Sequence, residues 1–275
     1  MPRRSPGARA VGIGAELRRL REAKSLSLRR VAEAVGIGPD KLSRVENGKQ
    51  NPDVDDVSAV LAILGVTGET RERILDEVRN VDEPGWWERH LGITKESAAL
   101  ADYESRAEHV IDWAPLVIPG LLQTMDYAGA VMEMYGIGAE DIGVRLGARR
   151  ERQRAAADTS YDAYIGESAL RTVVGSPGVM HAQLGTLLDI GGRRSVRVVP
   201  SAGPAHLGQL GGFILLRFRS APSVVHVELL RSGVFLDRRE LTDPYLNAVT
   251  QVSAVALTET ESAHLIRQVR QEMEG

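Results

Sequence analysis

The segment GPDKLSRVENG, residues 38–48, gathers Asp40, Lys41, Ser43, Arg44 and Asn47 between a Gly-Pro and an Asn-Gly. At the 100° step of a helix, Asp40, Ser43, Arg44 and Asn47 share one side, with Lys41 on the flank and Leu42 and Val45 opposite. That polar side suits the reading of nucleic-acid edges. Arg44 can pair bidentately with guanine O6 and N7, worth roughly 1–3 kcal/mol of discrimination. Lys41 can donate to a base or a phosphate. Asp40 only accepts, which leaves cytosine N4 as its base partner. Arg29, Arg30 and Lys49, with Arg3, Arg4 and Arg9 near the N-terminus, suit backbone contacts, which position without specifying sequence.

A helix this short and polar has to be held by its neighbours. GAELRRLREAK aligns Leu17, Leu20 and Ala23 and predicts a first helix. Ser27 is placed as an N-cap before LRRVAEAVG, whose Leu28, Val31, Ala32 and Val35 form an apolar face, and Gly36 ends that helix. Pro39 fits the first position of the next helix, and Gly48 the left-handed residue that closes it. Asn51-Pro52-Asp53 opens a fourth helix with Val54, Val57, Val60, Leu61 and Leu64 on its core side. GETRERILDEVRN predicts a fifth, finishing near residue 80. Two short helices joined by a tight turn inside such a bundle are a helix-turn-helix, with residues 38–48 as its second helix.

Charge divides along the chain. Residues 1–51 hold 12 Lys and Arg against 5 Asp and Glu, and the rest holds 22 against 32. A basic head on an acidic body points to a polyanionic partner for the head alone. The 275 residues, 43% apolar and 26% charged, can hold one large globular domain or two ordinary ones. Without any Cys, disulfides, thiol nucleophiles and cysteine-zinc sites are excluded. No apolar run approaches the roughly 18 residues of a membrane span, and MPRRSPGARAVG lacks the apolar region of a signal peptide, so a cytoplasmic location is expected.

The stretch LRRLREAKSLSLRRVAEAVGIGPDKLSRVENGKQNPDVDDVSAVLAILGV resembles the lambda-repressor-like, XRE-type helix-turn-helix family, most specifically through LSRVENG and the Pro that follows. The resemblance implies that Gly38, Pro39, Asp40, Lys41 and Arg44 occupy the recognition positions. It puts Asn47 and Lys49 where the following loop meets phosphates, and Ser43 joins that phosphate set. Two departures stand out. Leu28 occupies a position where the family often has a phosphate-binding Gln, and Gly38 has no hydroxyl to cap the recognition helix.

Beyond the head, DEPGWWERH breaks the helical pattern, with Trp86 and Trp87 expected to pack at a domain seam. The division expected is a flexible basic arm over 1–11, a helix-turn-helix domain over 12–81, a linker or seam over 82–95 and an α+β domain over 96–275. In that last part helices are expected around 95–112, 123–135, 139–156, 176–190, 240–256 and 258–273. Thr258 and Glu261 have capping-box spacing. SYDAYIG, SVRVVP, GGFILLRF and SVVHVELL read as strands by alternation and β-branched content. The expected fold is an all-α helix-turn-helix bundle of four to five helices followed by an α+β domain with a mostly antiparallel sheet.

Catalytic signals are weak. His90, His109, His181, His206, His226 and His264 show no paired ligand spacing, GIGAEL and GQLGGF lack a phosphate-loop Lys, and Ser176 is not in a nucleophile elbow. His226 and Glu228 would share a face of a half-exposed strand, as surface polarity commonly does. Neither an enzymatic activity, nor a metal, nor a cofactor is expected. VIPGLLQTMDYAGAV, RRERQ, GESALR, VMHAQLGTLLD, VRVVP, GGFILLRF, VVHVELL and LTETESAHLI together resemble the domain of unknown function behind XRE heads in actinobacterial WhiJ-like, or antitoxin-like, regulators. The resemblance implies a developmental or antibiotic-related transcriptional regulator, often encoded beside a small acidic partner protein. The expected function is that of a sequence-specific regulator, a repressor before an activator. It would bind a palindromic operator as a homodimer, with a C-terminal domain that senses a small molecule or docks a protein. The alternative is an antitoxin-like module that mainly binds a small partner protein and autoregulates its promoter. No membrane partner is expected.

Overall fold

The computed structural model describes residues 8–79, 81, 94–219, 222–230 and 232–273. The chain divides into two compact units. The first is built on α1 (Ala8–Ala23), α2 (Leu28–Val35), α3 (Pro39–Glu46), α4 (Val54–Ile63) and α5 (Gly68–Arg79). Ile13, Leu17, Val31, Ala32, Leu42, Val45, Val57, Val60, Leu61, Leu64, Ile74, Leu75 and Val78 close its core, and Ile37 of the α2–α3 turn packs against it. Most of these apolar positions are those that the helical period selects.

The helix ends follow their capping chemistry. Ser27 accepts from the Arg30 N–H, Gly36 takes φ +79°, and Asp53 accepts from the N–H groups of Asp55 and Asp56. Residues 8–11, expected in the basic arm, instead form the first turn of α1, where Ala10 is fully buried. Arg3, Arg4, the Arg9 side chain, Trp86 and Trp87 lie outside the described residues.

The second unit centres on a six-stranded sheet in the order β3-β2-β1-β4-β5-β6. Its strands are β1 (His109–Ala114), β2 (Ser160–Gly166), β3 (Arg194–Val199), β4 (Phe213–Arg217), β5 (Val224–Glu228) and β6 (Gly233–Leu236). β1, β2 and β3 run parallel, while β1–β4, β4–β5 and β5–β6 are antiparallel. The parallel pairs need helical crossovers. α7 (Met125–Met134) and α8 (Ala139–Ala155) connect β1 to β2, and α9 (Glu167–Arg171) and α10 (Pro177–Leu188) connect β2 to β3. α6 (Lys95–Arg106), of which Lys95–Tyr103 groups with the first unit, leads into β1, and α11 (Arg239–Val255) and α12 (Glu259–Glu272) end the described chain.

Two strands depart from the sequence reading. β1 was read as the tail of a helix spanning 95–112, and β6 was not expected. β1 is buried on both faces, with Ile111 and Trp113 on one and Val110 and Asp112 on the other, so its sequence lacks the alternation of a half-exposed strand. On the first face, Ile111, Trp113, Tyr164, Phe213, Leu215 and Val225 pack with Ala248 and Val252 of α11. His226, expected on the exposed side of its strand, is instead buried beside the Phe235 ring at 4.7 Å, and Gly233 lies so close that a Cβ there would stand 2.4 Å from its Nε2.

The opposite face carries a polar network. Tyr161 Oη donates to Asp112 Oδ2 at 2.7 Å, and Arg152 of α8 clasps Glu104 through two bonds of 2.5 and 2.6 Å. Burial, opposed in part by the Tyr161 hydrogen bond, pushes the Asp112 carboxyl up to about 7, and burial lowers Arg149 to about 10. This network also holds the PGLLQT turn. Arg149 Nη1 donates to Gln123 Oε1 at 2.9 Å, and Gln153 Nε2 donates to the carbonyls of Gly120 and Gln123 at 3.1 and 2.8 Å. From α10, Gln183 accepts from the Thr124 N–H and donates to the Leu122 carbonyl.

The outer edge of β3 is closed by one side-chain and one main-chain partner. The Val198 N–H donates to Ser262 Oγ at 2.9 Å and the Leu257 N–H to the Val198 carbonyl at 2.9 Å. The capping box of Thr258 and Glu261 starts α12 as its spacing predicts.

Candidate nucleic-acid interface

Helix α3 is seated by three residues and the backbone of its neighbour. Leu42 and Val45 enter the head core at 2% and 5% exposure, a burial worth roughly 1.5–3 kcal/mol each. Glu46, the third, is an acid in the core. Arg21 of α1 donates to it from Nε and Nη2, both at 2.7 Å, and from Nη1 to the Leu26 carbonyl at 2.9 Å. That hydrogen bond, against the cost of burial, raises the pKa of Arg21 above its ordinary value. The sequence reading missed this pair, which ties the end of the recognition helix to α1.

The seat leaves no room for a side chain at Gly14. A Cβ there would stand 2.1 Å from the Val45 carbonyl oxygen, so α1 and α3 meet backbone to backbone. Gly14→Ala is expected to destabilise the head by about 1–3 kcal/mol, the range of overpacked cores, despite alanine's better helix propensity. A urea titration followed by circular dichroism checks this, and unchanged stability would contradict the close approach.

The outward side of α3 carries the residues singled out in the sequence, with unequal freedom. Pro39 takes the first helical position and Asp40 is exposed, with no partner among the described residues. Gly38 gives no side-chain cap, as its missing hydroxyl implies. Lys41 is not free, because its Nζ pairs with Asp56 Oδ2 in the first turn of α4. This ion pair neutralises the flank of α3 and counts against base reading by Lys41. Arg44 is exposed and donates from Nε to Gln50 Oε1 at 3.0 Å, which leaves its two terminal NH2 groups without a partner among the described residues.

The phosphate candidates differ in the same way. Asn47 turns its amide back on its own helix, donating from Nδ2 to the Ser43 carbonyl at 2.7 Å and reaching Ser43 Oγ at 3.4 Å. It acts there as a C-terminal cap, and Ser43 is half-buried beneath it. Arg29 pairs with Glu33 at 2.8 Å on an exposed helical surface, and the hydrogen bond to Glu33 raises its pKa. Such exposed i,i+4 pairs contribute little and exchange readily for a phosphate. Arg30 and Lys49 are exposed with no side-chain partner among the described residues. Lys49 follows Gly48 at φ +62°, and its N–H donates to the Arg44 carbonyl at 2.7 Å, which folds the loop back along α3.

The outward side of α3 therefore presents the Arg44 guanidinium fork and the Asp40 carboxylate on a helix fixed from beneath, with Lys49 in the loop that follows and Arg30 on α2. No helix among the described residues is long and apolar enough to cross a membrane.

Comparison with known families agrees with this geometry. Residues 13–74 match a helix-turn-helix domain, the architecture of DNA-binding regulators, and residues 97–268 match a domain of unknown function, DUF5753. No curated protein and no solved structure matches the chain. With well over half its length in that second match, the chain belongs to the DUF5753 family, here joined to a helix-turn-helix head.

Proposed function

We propose that the chain is a cytoplasmic, sequence-specific DNA-binding regulator of the XRE type, acting as a repressor rather than as an enzyme. It binds a palindromic operator as a homodimer, because one recognition helix covers only a few base pairs and pairing across half-sites supplies the remaining affinity. The C-terminal unit senses a small molecule or docks a protein, a reading supported by the resemblance of its motifs to those of WhiJ-like regulators, which are often encoded beside a small acidic protein. The observation that carries the proposal is Arg44, exposed on a helix whose other side is seated by Leu42, Val45 and Glu46, with its terminal fork unpartnered among the described residues.

Arg44→Ala is expected to cost roughly 1–3 kcal/mol on a selected operator and far less on random DNA. Lys49→Ala is expected to weaken both alike and to lower the salt slope by about one unit. Fluorescence anisotropy on operator and scrambled duplexes across a salt series measures both. Equal losses for Arg44→Ala on the two duplexes would reduce Arg44 to a phosphate clamp.

A further inference from the structure

We propose that Gln50 is a positioning residue for base reading. By accepting from Arg44 Nε, it sets the guanidinium so that its terminal Nη1/Nη2 fork is presented to a guanine edge. The inference rests on the DNA-binding proposal above and names the residue behind its specificity.

Gln50 stands six residues beyond Arg44, yet the chain returns it. Gly48 in the left-handed region and the bonds from the Gly48 N–H to the Val45 carbonyl and the Lys49 N–H to the Arg44 carbonyl fold the loop back on α3. Beyond Gln50 the chain is pinned again, by buried Pro52 and by Asp53 as the cap of α4. Gln50 is therefore held at both ends, while Arg44 has a long side chain with several free torsions.

The guanidinium offers two ways to form a bidentate pair. One uses Nε with a terminal nitrogen, and the other uses both terminal nitrogens. The Gln50 contact at 3.0 Å occupies Nε and leaves the second. That geometry matches the O6 and N7 acceptors of guanine, and an arginine held before contact loses less freedom on binding.

The chemistry of the acceptor matters. A neutral amide orients Arg44 without cancelling its charge. One turn earlier the opposite arrangement occurs, since the Asp56 carboxylate does neutralise Lys41. Of the two cations on the recognition helix, one is kept charged and aimed, and the other is withdrawn.

The test uses the full chain. A duplex is selected from a randomised pool, and its affinity relative to a scrambled duplex is read by anisotropy at several salt concentrations. Gln50→Met, similar in length but without the amide acceptor, is expected to lower this ratio about tenfold, inside the span of one bidentate pair, and to leave the salt slope and the melting temperature unchanged. Gln50→Glu keeps the acceptor, so the ratio is retained while added negative charge weakens both duplexes. In an Arg44→Ala background, Gln50→Met is expected to change nothing further.

An unchanged ratio in Gln50→Met, or an equal fall with and without Arg44, would overturn the positioning role while leaving the DNA-binding proposal intact. A wild-type chain that fails to prefer any selected duplex would overturn both.

Discussion

Glu46→Ala is expected to destabilise the head by about 3–5 kcal/mol, the cost of leaving a buried guanidinium without its carboxylate. Arg21 would keep its bond to the Leu26 carbonyl but lose both bonds to the end of α3. Binding to operator and to random DNA should fall together, because the whole recognition helix loses its seat. The pattern differs from that of Arg44→Ala, in which the fold survives and only discrimination falls. Denaturant unfolding monitored by circular dichroism gives the stability. A double variant, Arg21→Met with Glu46→Leu, is expected to recover much of it, since an apolar pair of similar volume needs no charge compensation. A loss below about 1 kcal/mol in Glu46→Ala would show that the pair is not needed to seat the helix.

The second large effect is a pH dependence in the C-terminal unit. Asp112 titrates near 7 in the folded chain against an ordinary value of 3.8, because burial disfavours its charged form. Below about pH 4 it is protonated in both folded and unfolded chains, and its contribution to stability is complete. Between there and about pH 7 the unfolded chain releases the proton while the folded one retains it, so stability falls as pH rises. The difference is on the order of 4 kcal/mol above pH 7. Tyr161, Glu104, Arg152 and Glu228 act on Asp112 from the surrounding elements, and Glu104 and Glu228 reinforce the upward shift. Asp112→Asn keeps an oxygen acceptor for Tyr161 and removes the titration. Its stability relative to wild type is therefore expected to rise from pH 5 and to level off above about pH 7, measured by urea unfolding at each pH. A difference that does not vary with pH would exclude Asp112 as the titrating group.

The head was largely legible in its sequence. Period 3.6 selected Leu17, Val31, Leu42, Val45, Val57 and Leu61, and the Ser, Gly and Pro caps marked the helix ends, because these signals are local. The tie between Arg21 and Glu46 was not legible. It spans 25 residues and uses residue types that also decorate any exposed helix. Pairing of Lys41 with Asp56, and of Arg44 with Gln50, was hidden for the same reason, so the sequence placed the site without showing which of its cations are free. In the C-terminal unit, β1 escaped because Asp112 interrupts an otherwise apolar strand. β6 escaped because its pattern is four residues long.

The joining of the PGLLQT turn to RRERQ has a consequence for the history of the family. A side chain at Gly120 would collide with Arg149 Nη1, which a Cβ would approach to 2.3 Å, and the amides of Gln123 and Gln153 close the same junction. Two motifs nearly thirty residues apart are thus expected to behave as a single inherited character. Drift in one is expected only where the other changes with it, and an alignment of relatives should show Gly120, Gln123, Arg149 and Gln153 kept or replaced as a set. A lineage that had lost one member while retaining the rest would mark the place where the turn had been rebuilt for another use.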